Sequence, residues 1–303
     1  MKKLILFSLF SILTLPIFSQ NPFVLVLGIA QDGGYPQAGC KKECCQKVYN
    51  HKTKSESVSS IALIDPLSNE KWVFDATPNF PEQLQFLEEK TSPNQNFGIL
   101  LTHAHIGHYT GLMHLGREVI GANKIKVYAM PKMKEFLEKN GPWSQLVSLK
   151  NIEIQPLKED SIILLNDRIK VQPIRVPHRD EFSETVGYKI IVGGKSLLFI
   201  PDIDKWQKWN KNIVEMIKSV DHALLDGTFY QDGEINRPMS EVPHPFVIET
   251  MELMKNQPKT EKSKVHFIHL NHTNPILQPK SLERKEVLKR GFKIAFTGQK
   301  IEL

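Results

Sequence analysis

A cluster of three histidines constrains this chain more than any other feature. His103, His105 and His108 lie within six residues, directly after the apolar run of residues 97–101. Histidines at positions i, i+2 and i+5 share neither one face of a helix nor one face of a strand. The spacing therefore predicts a loop at the end of a buried strand, wrapped around a transition-metal ion, most often zinc. A histidine-rich surface loop without a ligand is the alternative.

Further possible ligands follow other apolar runs of strand length. His178 follows residues 169–176, Asp202 follows residues 197–201, Asp226 follows residues 223–225, and His269 follows residues 265–268. In layered α/β folds, active sites collect at such strand ends. The repeated coincidence favours a site over a surface loop.

The order of these residues resembles the metallo-β-lactamase superfamily, and the resemblance spans about residues 23–303. It implies an α/β fold, an αββα sandwich in which two mixed β-sheets face each other, helices cover the outside, and one or two metals lie at one edge. A narrower similarity, to the pyrroloquinoline quinone biosynthesis protein B branch, is carried by four segments. They are residues 26–37 (VLGIAQDGGYPQ), 108–112 (HYTGL), 224–229 (LLDGTF) and 269–275 (HLNHTNP).

The resemblance also implies a role for each motif residue. The first metal site would be His103, His105 and His178, the bridging carboxylate Asp202, and the second site His108 and His269. Asp202 and His108 are accordingly the expected catalytic residues.

One position departs from the superfamily pattern, which usually has Asp two residues after the second histidine. This chain has Gly107 there. The departure predicts a mononuclear site, or a second metal held loosely by His108, Asp202 and His269. Asp226 is a candidate for the missing carboxylate. His272 competes with His269 for the C-terminal ligand role, and His269 is preferred because residues 267–268 place it at the strand end.

Three imidazoles and a carboxylate can leave one coordination position open for water. A divalent ion lowers the pKa of that water towards about 7, so hydroxide is available to attack an ester, lactone, amide or phosphoester. Asp202 could orient the water or accept its proton. Asp75, Asp204 and Asp226 are candidates to hydrogen-bond the ligating imidazoles, although Asp75 also suits a simple turn. His244 could contact substrate, or lie exposed in its loop.

The three cysteines of the chain, Cys40, Cys44 and Cys45, lie within six residues. They suit either a small loop disulfide or a structural zinc site with His51 as a fourth ligand. The similar biosynthesis protein carries a cysteine-rich segment here with wider spacing, so the ligand set stays open.

Residues 1–19 have the pattern of a secretory signal peptide: two lysines, an apolar stretch, and a processing site between Ser19 and Gln20. The alternative is an uncleaved anchor. The prediction is a periplasmic or secreted protein whose mature part, residues 20–303, is one domain without an integral membrane segment. Without Lys2 and Lys3 the formal net charge falls from +6 to +4. The basic residues are scattered and form no stripe, so the charge pattern does not predict nucleic-acid binding. A small molecule is the expected partner, and the pattern predicts no particular oligomer.

Three function classes remain. The leading prediction is an exported metal-dependent hydrolase with one zinc and a weaker second one, with iron or manganese as other candidate metals. The alternatives are an iron-dependent oxygenase or hydroxylase, which the biosynthetic branch permits, and a non-catalytic cofactor carrier, which Gly107 favours. Biosynthetic action fits poorly with export.

Overall fold

The computed structural model describes residues 21–91, 97–236, 238 and 241–303, so the predicted signal peptide lies outside the described residues. The strands are β1 (Phe23–Gly28), β2 (Ser60–Asp65), β3 (Glu70–Phe74), β4 (Phe97–Leu100), β5 (Ile125–Ala129), β6 (Ile152–Pro156), β7 (Ile163–Leu164), β8 (Ile169–Arg175), β9 (Val186–Val192), β10 (Lys195–Ile200), β11 (His222–Asp226), β12 (Val265–Ile268), β13 (Lys293–Ile294) and β14 (Lys300–Glu302). The helices are α1 (Glu43–Tyr49), α2 (Phe80–Lys90), α3 (Ile106–Tyr109), α4 (Pro131–Lys139), α5 (Trp143–Ser148), α6 (Ile213–Lys218), α7 (Val247–Leu253), α8 (Lys259–Lys262) and α9 (Leu282–Lys289). Short 3₁₀ helices cover Thr110–Leu115, Trp206–Lys208 and Pro275–Leu277.

The strands form two mixed sheets of seven strands each. The first sheet has the order β14-β1-β2-β3-β4-β5-β6, and the second has the order β13-β12-β11-β10-β9-β8-β7. In each sheet, antiparallel hairpins at one side give way to parallel strands at the other. The fold class predicted from the sequence is confirmed.

The core lies between the sheets, and strand alternation decides which residues enter it. On β1, Val24 and Val26 belong to the cluster shared by the two sheets. Leu25 and Leu27 face the opposite way and pack in the cluster that includes α2, α4 and α5. Phe74 of the first sheet meets Tyr188 of the second edge to face, with ring centroids 5.3 Å apart. The sheets are therefore buried on both faces, which explains their nearly continuous apolar runs.

Main-chain hydrogen bonds join the sheets at one edge. The segment after β1 pairs with the segment after β12 through an isolated bridge between Ala30 and Leu270. The amide of Val186 donates to the carbonyl of Thr102, 3.1 Å away. This edge is where the strand-end histidines and aspartates meet. Within the described part of the chain, every helix is too short or too polar to cross a membrane.

Candidate metal centre

Four strand ends bring the sequence-predicted ligands to one place. The histidine motif follows β4, His178 follows β8, Asp202 follows β10, and His269 follows β12. The carboxyl ends of neighbouring parallel strands lie at the same edge of a sheet, so loops leaving them converge. The structure gathers all six predicted metal ligands there: His103, His105, His108, His178, Asp202 and His269.

The first group of potential ligand atoms comes from His103, His105, His178 and Asp202. The Nδ1 atom of His105 lies 2.9 Å from Nε2 of His103 and 3.3 Å from Nε2 of His178. The Oδ2 atom of Asp202 lies 3.3 Å from each of those two Nε2 atoms. Tetrahedral zinc with Zn–N bonds of 2.0–2.1 Å needs neighbouring ligand atoms about 3.3 Å apart. The donor set and its spacing therefore fit a tetrahedral divalent ion.

A second group shares Asp202 with the first. His108 Nε2 and His269 Nε2 lie 3.8 and 4.0 Å from Asp202 Oδ2. Both nitrogens also face Oδ1 of Asp32, at 3.1 and 3.7 Å. Asp32, His108 and His269 form one of the compact groups able to hold a cation. Asp32 was not among the ligands predicted from the sequence. It follows strand β1, just as the predicted ligands follow strands β4, β8, β10 and β12.

Thr102 and Asp75 orient two of the imidazoles. The hydroxyl of Thr102 donates to Asp75 Oδ2 at 2.9 Å and accepts from His103 Nδ1 at 2.9 Å. His108 Nδ1 donates to the same Asp75 oxygen at 2.7 Å. Because each Nδ1 makes one of these bonds, each Nε2 faces the centre, as metal ligation through Nε2 requires. Asp75 thus supports the site and is more than a turn residue.

Thr228 and Asp226 repeat this arrangement for His269. The Thr228 hydroxyl donates to Asp226 Oδ1 at 2.7 Å and accepts from His269 Nδ1 at 2.9 Å. Two non-glycine residues of the centre, Asp75 and His269, have the left-handed φ angles of 67° and 62°. Such backbone persists when surrounding contacts impose it, and it clusters at functional sites.

The remaining imidazoles of the first group also have carboxylate neighbours. His105 Nε2 faces Glu181 Oε2 at 3.0 Å. His178 Nδ1 faces Asp204 Oδ1 at 3.4 Å, in line with the role expected for Asp204. Glu181 carried no signal in the sequence, because it lies in a loop after an Arg-Asp pair rather than at a strand end.

Burial and charge act in opposite directions on these groups. Burial lowers the pKa of His103 well below its usual value, which keeps this imidazole neutral. Burial also opposes the charge on His108, but Asp75 and Asp32 on its two sides raise its pKa well above the usual value. Likewise the imidazoles around Asp202 lower its pKa strongly despite burial. The buried carboxylates thus create a field that favours a cation.

The structure decides between alternatives that the sequence left open for two residues near the centre. Asp226 does not supply the missing carboxylate, because its oxygens accept hydrogen bonds from Thr228 and from the amide of Ile203. His244 is not an exposed loop residue: it is buried, and its Nδ1 lies 2.9 Å from Asp226 Oδ2 and 3.2 Å from Asp202 Oδ1. The imidazole of His244 thus faces the centre and not the solvent.

The cysteine cluster forms a separate candidate metal site. The sulfurs of Cys40, Cys44 and Cys45 are free thiols that lie 3.6, 3.8 and 3.3 Å from Nδ1 of His272. Tetrahedral zinc with three thiolates and one imidazole needs S···N distances of about 3.6 Å. The prediction of His51 as a fourth ligand is wrong, since His51 is exposed and lies outside this group. His272 also does not compete with His269 at the histidine centre.

Comparison with known proteins agrees with this fold. The β-lactamase superfamily domain matches residues 70–270, and the chain belongs to that family. Its curated relatives include the coenzyme PQQ synthesis protein B of Klebsiella pneumoniae (strain 342), 25% identical over 93% of this chain and 98% of the relative. The same protein from Pseudomonas putida is 28% identical over 93% of this chain and 100% of the relative. The similarity to the protein B branch that the sequence motifs indicated is thereby confirmed.

Solved structures with the same fold cover nearly the whole chain. The Zn²⁺-bound PqqB from Methylobacterium extorquens has a TM-score of 0.78 at 22% identity, covering 93% of this chain and 100% of its own. A diphosphatase from the PhnP family has a TM-score of 0.64 at 21% identity, covering 93% and 97%. Human tRNase Z, short form, has a TM-score of 0.58 at 15% identity, covering 92% and 98%. At these sequence identities the similarity shows a shared fold alone.

Proposed function

We propose that this protein is a metal-dependent hydrolase. The observation that carries the proposal is the convergence of six ligand side chains, with Asp202 shared between two groups of nitrogen atoms spaced for divalent ions. When bound there, such an ion activates water at neutral pH and polarises the bond under attack. Zinc is the proposed metal, because imidazole with carboxylate is a common zinc set.

The residues of the centre have distinct parts in this proposal. His103, His105 and His178 hold the first ion, and His108 and His269 face the second position. Their hydrogen bonds to carboxylates and hydroxyls fix the tautomers, which keeps the coordinating lone pairs directed inward.

Asp202 and His244 lie where the chemistry would take place. Asp202 Oδ2 faces both groups, while its Oδ1 lies 3.2 Å from His244 Nδ1. Asp202 would therefore orient the attacking water, whereas its strongly lowered pKa disfavours the alternative role of accepting the proton of that water. The same Nδ1 atom of His244 lies 2.9 Å from Asp226 Oδ2, so His244 is held beside the centre, where we expect it to contact a substrate.

Phosphoesters are the first substrate class to test among the ester, lactone, amide and phosphoester bonds that this chemistry can cleave. Two proteins with this fold are named for acting on phosphorus-containing substrates or RNA, the diphosphatase and tRNase Z. Two adjacent metal positions suit phosphoryl displacement, because two ions can stabilise both the attacking and the leaving oxygen.

The test is hydrolysis of bis(4-nitrophenyl) phosphate, 4-nitrophenyl acetate and a γ-lactone by zinc-loaded protein. Asp202→Ala should lower the rate by a factor of about 100 or more, in the range that positioned acid–base groups contribute. His103→Ala should lose both metal and activity. The matched control is His114→Ala, which removes an imidazole six residues beyond His108, in the 3₁₀ helix and outside both ligand groups.

Unchanged turnover in Asp202→Ala would contradict the assignment of this carboxylate. No turnover of any of the three substrates by fully metal-loaded wild type would contradict the hydrolase proposal for these bonds. Metal binding without turnover would then favour the carrier function.

Iron-dependent oxygenation is the second candidate function. The similarity over 93% of the chain is to a protein named for the synthesis of a cofactor and not for hydrolysis, and the donor set also suits iron. Metal analysis of protein purified without chelators, together with oxygen consumption, separates this candidate from hydrolysis.

We also propose that Cys40, Cys44, Cys45 and His272 hold a structural zinc ion, because all four positions are filled by protein and none is left open for water. Export to the periplasm or the medium remains a proposal that rests on residues 1–19. N-terminal sequencing of the mature protein tests it, with Gln20 as the expected first residue.

A further inference from the structure

We propose that Asp32 supplies the carboxylate of the second metal position, in place of the side chain that the superfamily usually carries at residue 107. This inference rests on the proposed metal centre. It assigns a ligand from the loop after β1, a part of the chain separate from the histidine motif.

The space around Gly107 is the first observation. A Cβ atom built on Gly107 would lie 2.1 Å from Oδ1 of Asp32 and 2.7 Å from its Cα. Both distances are far shorter than real Cβ contacts, so no other residue fits at 107 while Asp32 keeps its place. Asp32 and a side chain at 107 are therefore mutually exclusive. Gly107 provides the space into which the carboxylate of Asp32 extends.

Unpaired buried atoms are the second observation. Asp32 Oδ1, His108 Nε2 and His269 Nε2 are all buried, and none makes a hydrogen bond of good geometry. They face one another, with Oδ1 3.1 Å from one nitrogen and 3.7 Å from the other. Buried polar atoms without partners are costly and rare. One divalent cation would satisfy all three, and Asp202 Oδ2 would complete the set.

The main chain fixes Asp32 beside His269. The amide of Leu270 donates to the carbonyl of Ile29 at 2.7 Å, and the amide of Gln31 donates to the carbonyl of Leu270 at 2.9 Å. These bonds tie the residue before Asp32 to the residue after His269. The position of the carboxylate is thus set by backbone pairing between the two sheets rather than by a free loop.

The consequence is a two-metal centre with an exchanged ligand. Such a centre has two sets of imidazole and carboxylate ligands that share Asp202. The second metal position, which Gly107 alone predicted to be weak, thereby gains its own carboxylate from Asp32.

The test is zinc titration of metal-free protein by calorimetry, with metal content measured in parallel by mass spectrometry. Asp32→Asn should bind one zinc ion fewer than wild type, or bind it about 10-fold or more weakly, a loss at least as large as that for residues supporting metal ligands. Gly107→Ala should have the same effect, because its Cβ displaces Asp32. His114→Ala is the control: it removes an imidazole that lies outside the ligand groups and should keep the wild-type zinc count.

An Asp32→Asn protein with the zinc count and affinities of wild type would overturn the proposal, as would a wild type that binds a single ion at the histidine centre. If Asp32→Asn fails to fold, Gly107→Ala decides in the same way. Because the readout is metal stoichiometry, this failure is distinct from failure of the hydrolase proposal, which appears as fully loaded wild type without turnover.

Discussion

The hydroxyl of Thr228 should control how well His269 binds a metal ion. This hydroxyl accepts from His269 Nδ1 at 2.9 Å and donates to Asp226 Oδ1 at 2.7 Å, and all three side chains are fully buried. Thr228→Val keeps the shape of the side chain and removes both hydrogen bonds. His269 is then free to carry its proton on Nε2, which removes the lone pair that faces Asp32.

The size of the effect follows from these contacts. Leaving the buried Nδ1–H unpaired costs about 1–3 kcal/mol. Asp226 loses one of several donors and keeps the amides of Thr228 and Ile203, so its own loss is the smaller part. We expect metal-free Thr228→Val to be less stable by about 2–3 kcal/mol. Its affinity for one zinc ion should fall by about 10- to 100-fold.

Thr228→Ser is the matched control, because it keeps the hydroxyl and removes only a methyl group, at a cost of about 1 kcal/mol. Urea unfolding of the metal-free proteins measures the first quantity, and zinc titration against a competing chelator measures the second. Equal zinc affinities in the valine and serine variants would refute the reasoning, because the two differ mainly in the hydroxyl.

Three further outcomes are expected. His266 is buried near Lys293, and its pKa is lowered to about 3, mainly by burial and next by the charge of Lys293. The unfolded chain therefore binds a proton at this imidazole below about pH 6.5, whereas the folded chain does not. Stability is therefore lost as pH falls from about 6.5 towards 3, by about 2 kcal/mol at pH 5, and His266→Gln should abolish this part of the pH dependence in urea unfolding. Cys45→Ser should lower total zinc by one ion and leave the histidine centre loaded, as measured by mass spectrometry; an unchanged zinc count would contradict the structural zinc site. Tyr188→Phe leaves a buried carbonyl, that of Leu101, without its hydroxyl donor, so its free energy of unfolding should fall by about 1–3 kcal/mol; an equally stable variant would contradict this.

The sequence was sufficient for the fold and for the ligands that follow strands. His103, His178, Asp202 and His269 each come just after an apolar run, and buried parallel strands produce such runs. For His178, Asp202 and His269 the convergence follows from sheet geometry, because strands that run in the same direction in one sheet end at the same edge. His103 follows a strand of the other sheet and joins them because the two sheets pack face to face. A local pattern could therefore predict a non-local site.

The errors concern residues whose place depends on loop conformation. Asp32 and Gly107 are 75 positions apart in the sequence, and only the folded chain shows that one occupies the space of the other. His269 has a left-handed φ of 62°, and His272, three residues later, joins the cysteines instead of the histidine centre. His244 lies between two prolines, a pattern that describes a loop equally well whether it is exposed or buried.

The two sheets meet along the edge that carries the ligands, and this makes metal binding part of the folding equilibrium. His103 and Asp32 follow strands of the first sheet, whereas His178, Asp202 and His269 follow strands of the second. An ion bound there would act as a cross-link between the two halves of the sandwich. The unfolded chain offers no such arrangement, so free metal at 1,000 times its dissociation constant would stabilise the fold by about 4 kcal/mol. Metal supply would then govern how long the protein survives heat and proteases as well as whether it is active.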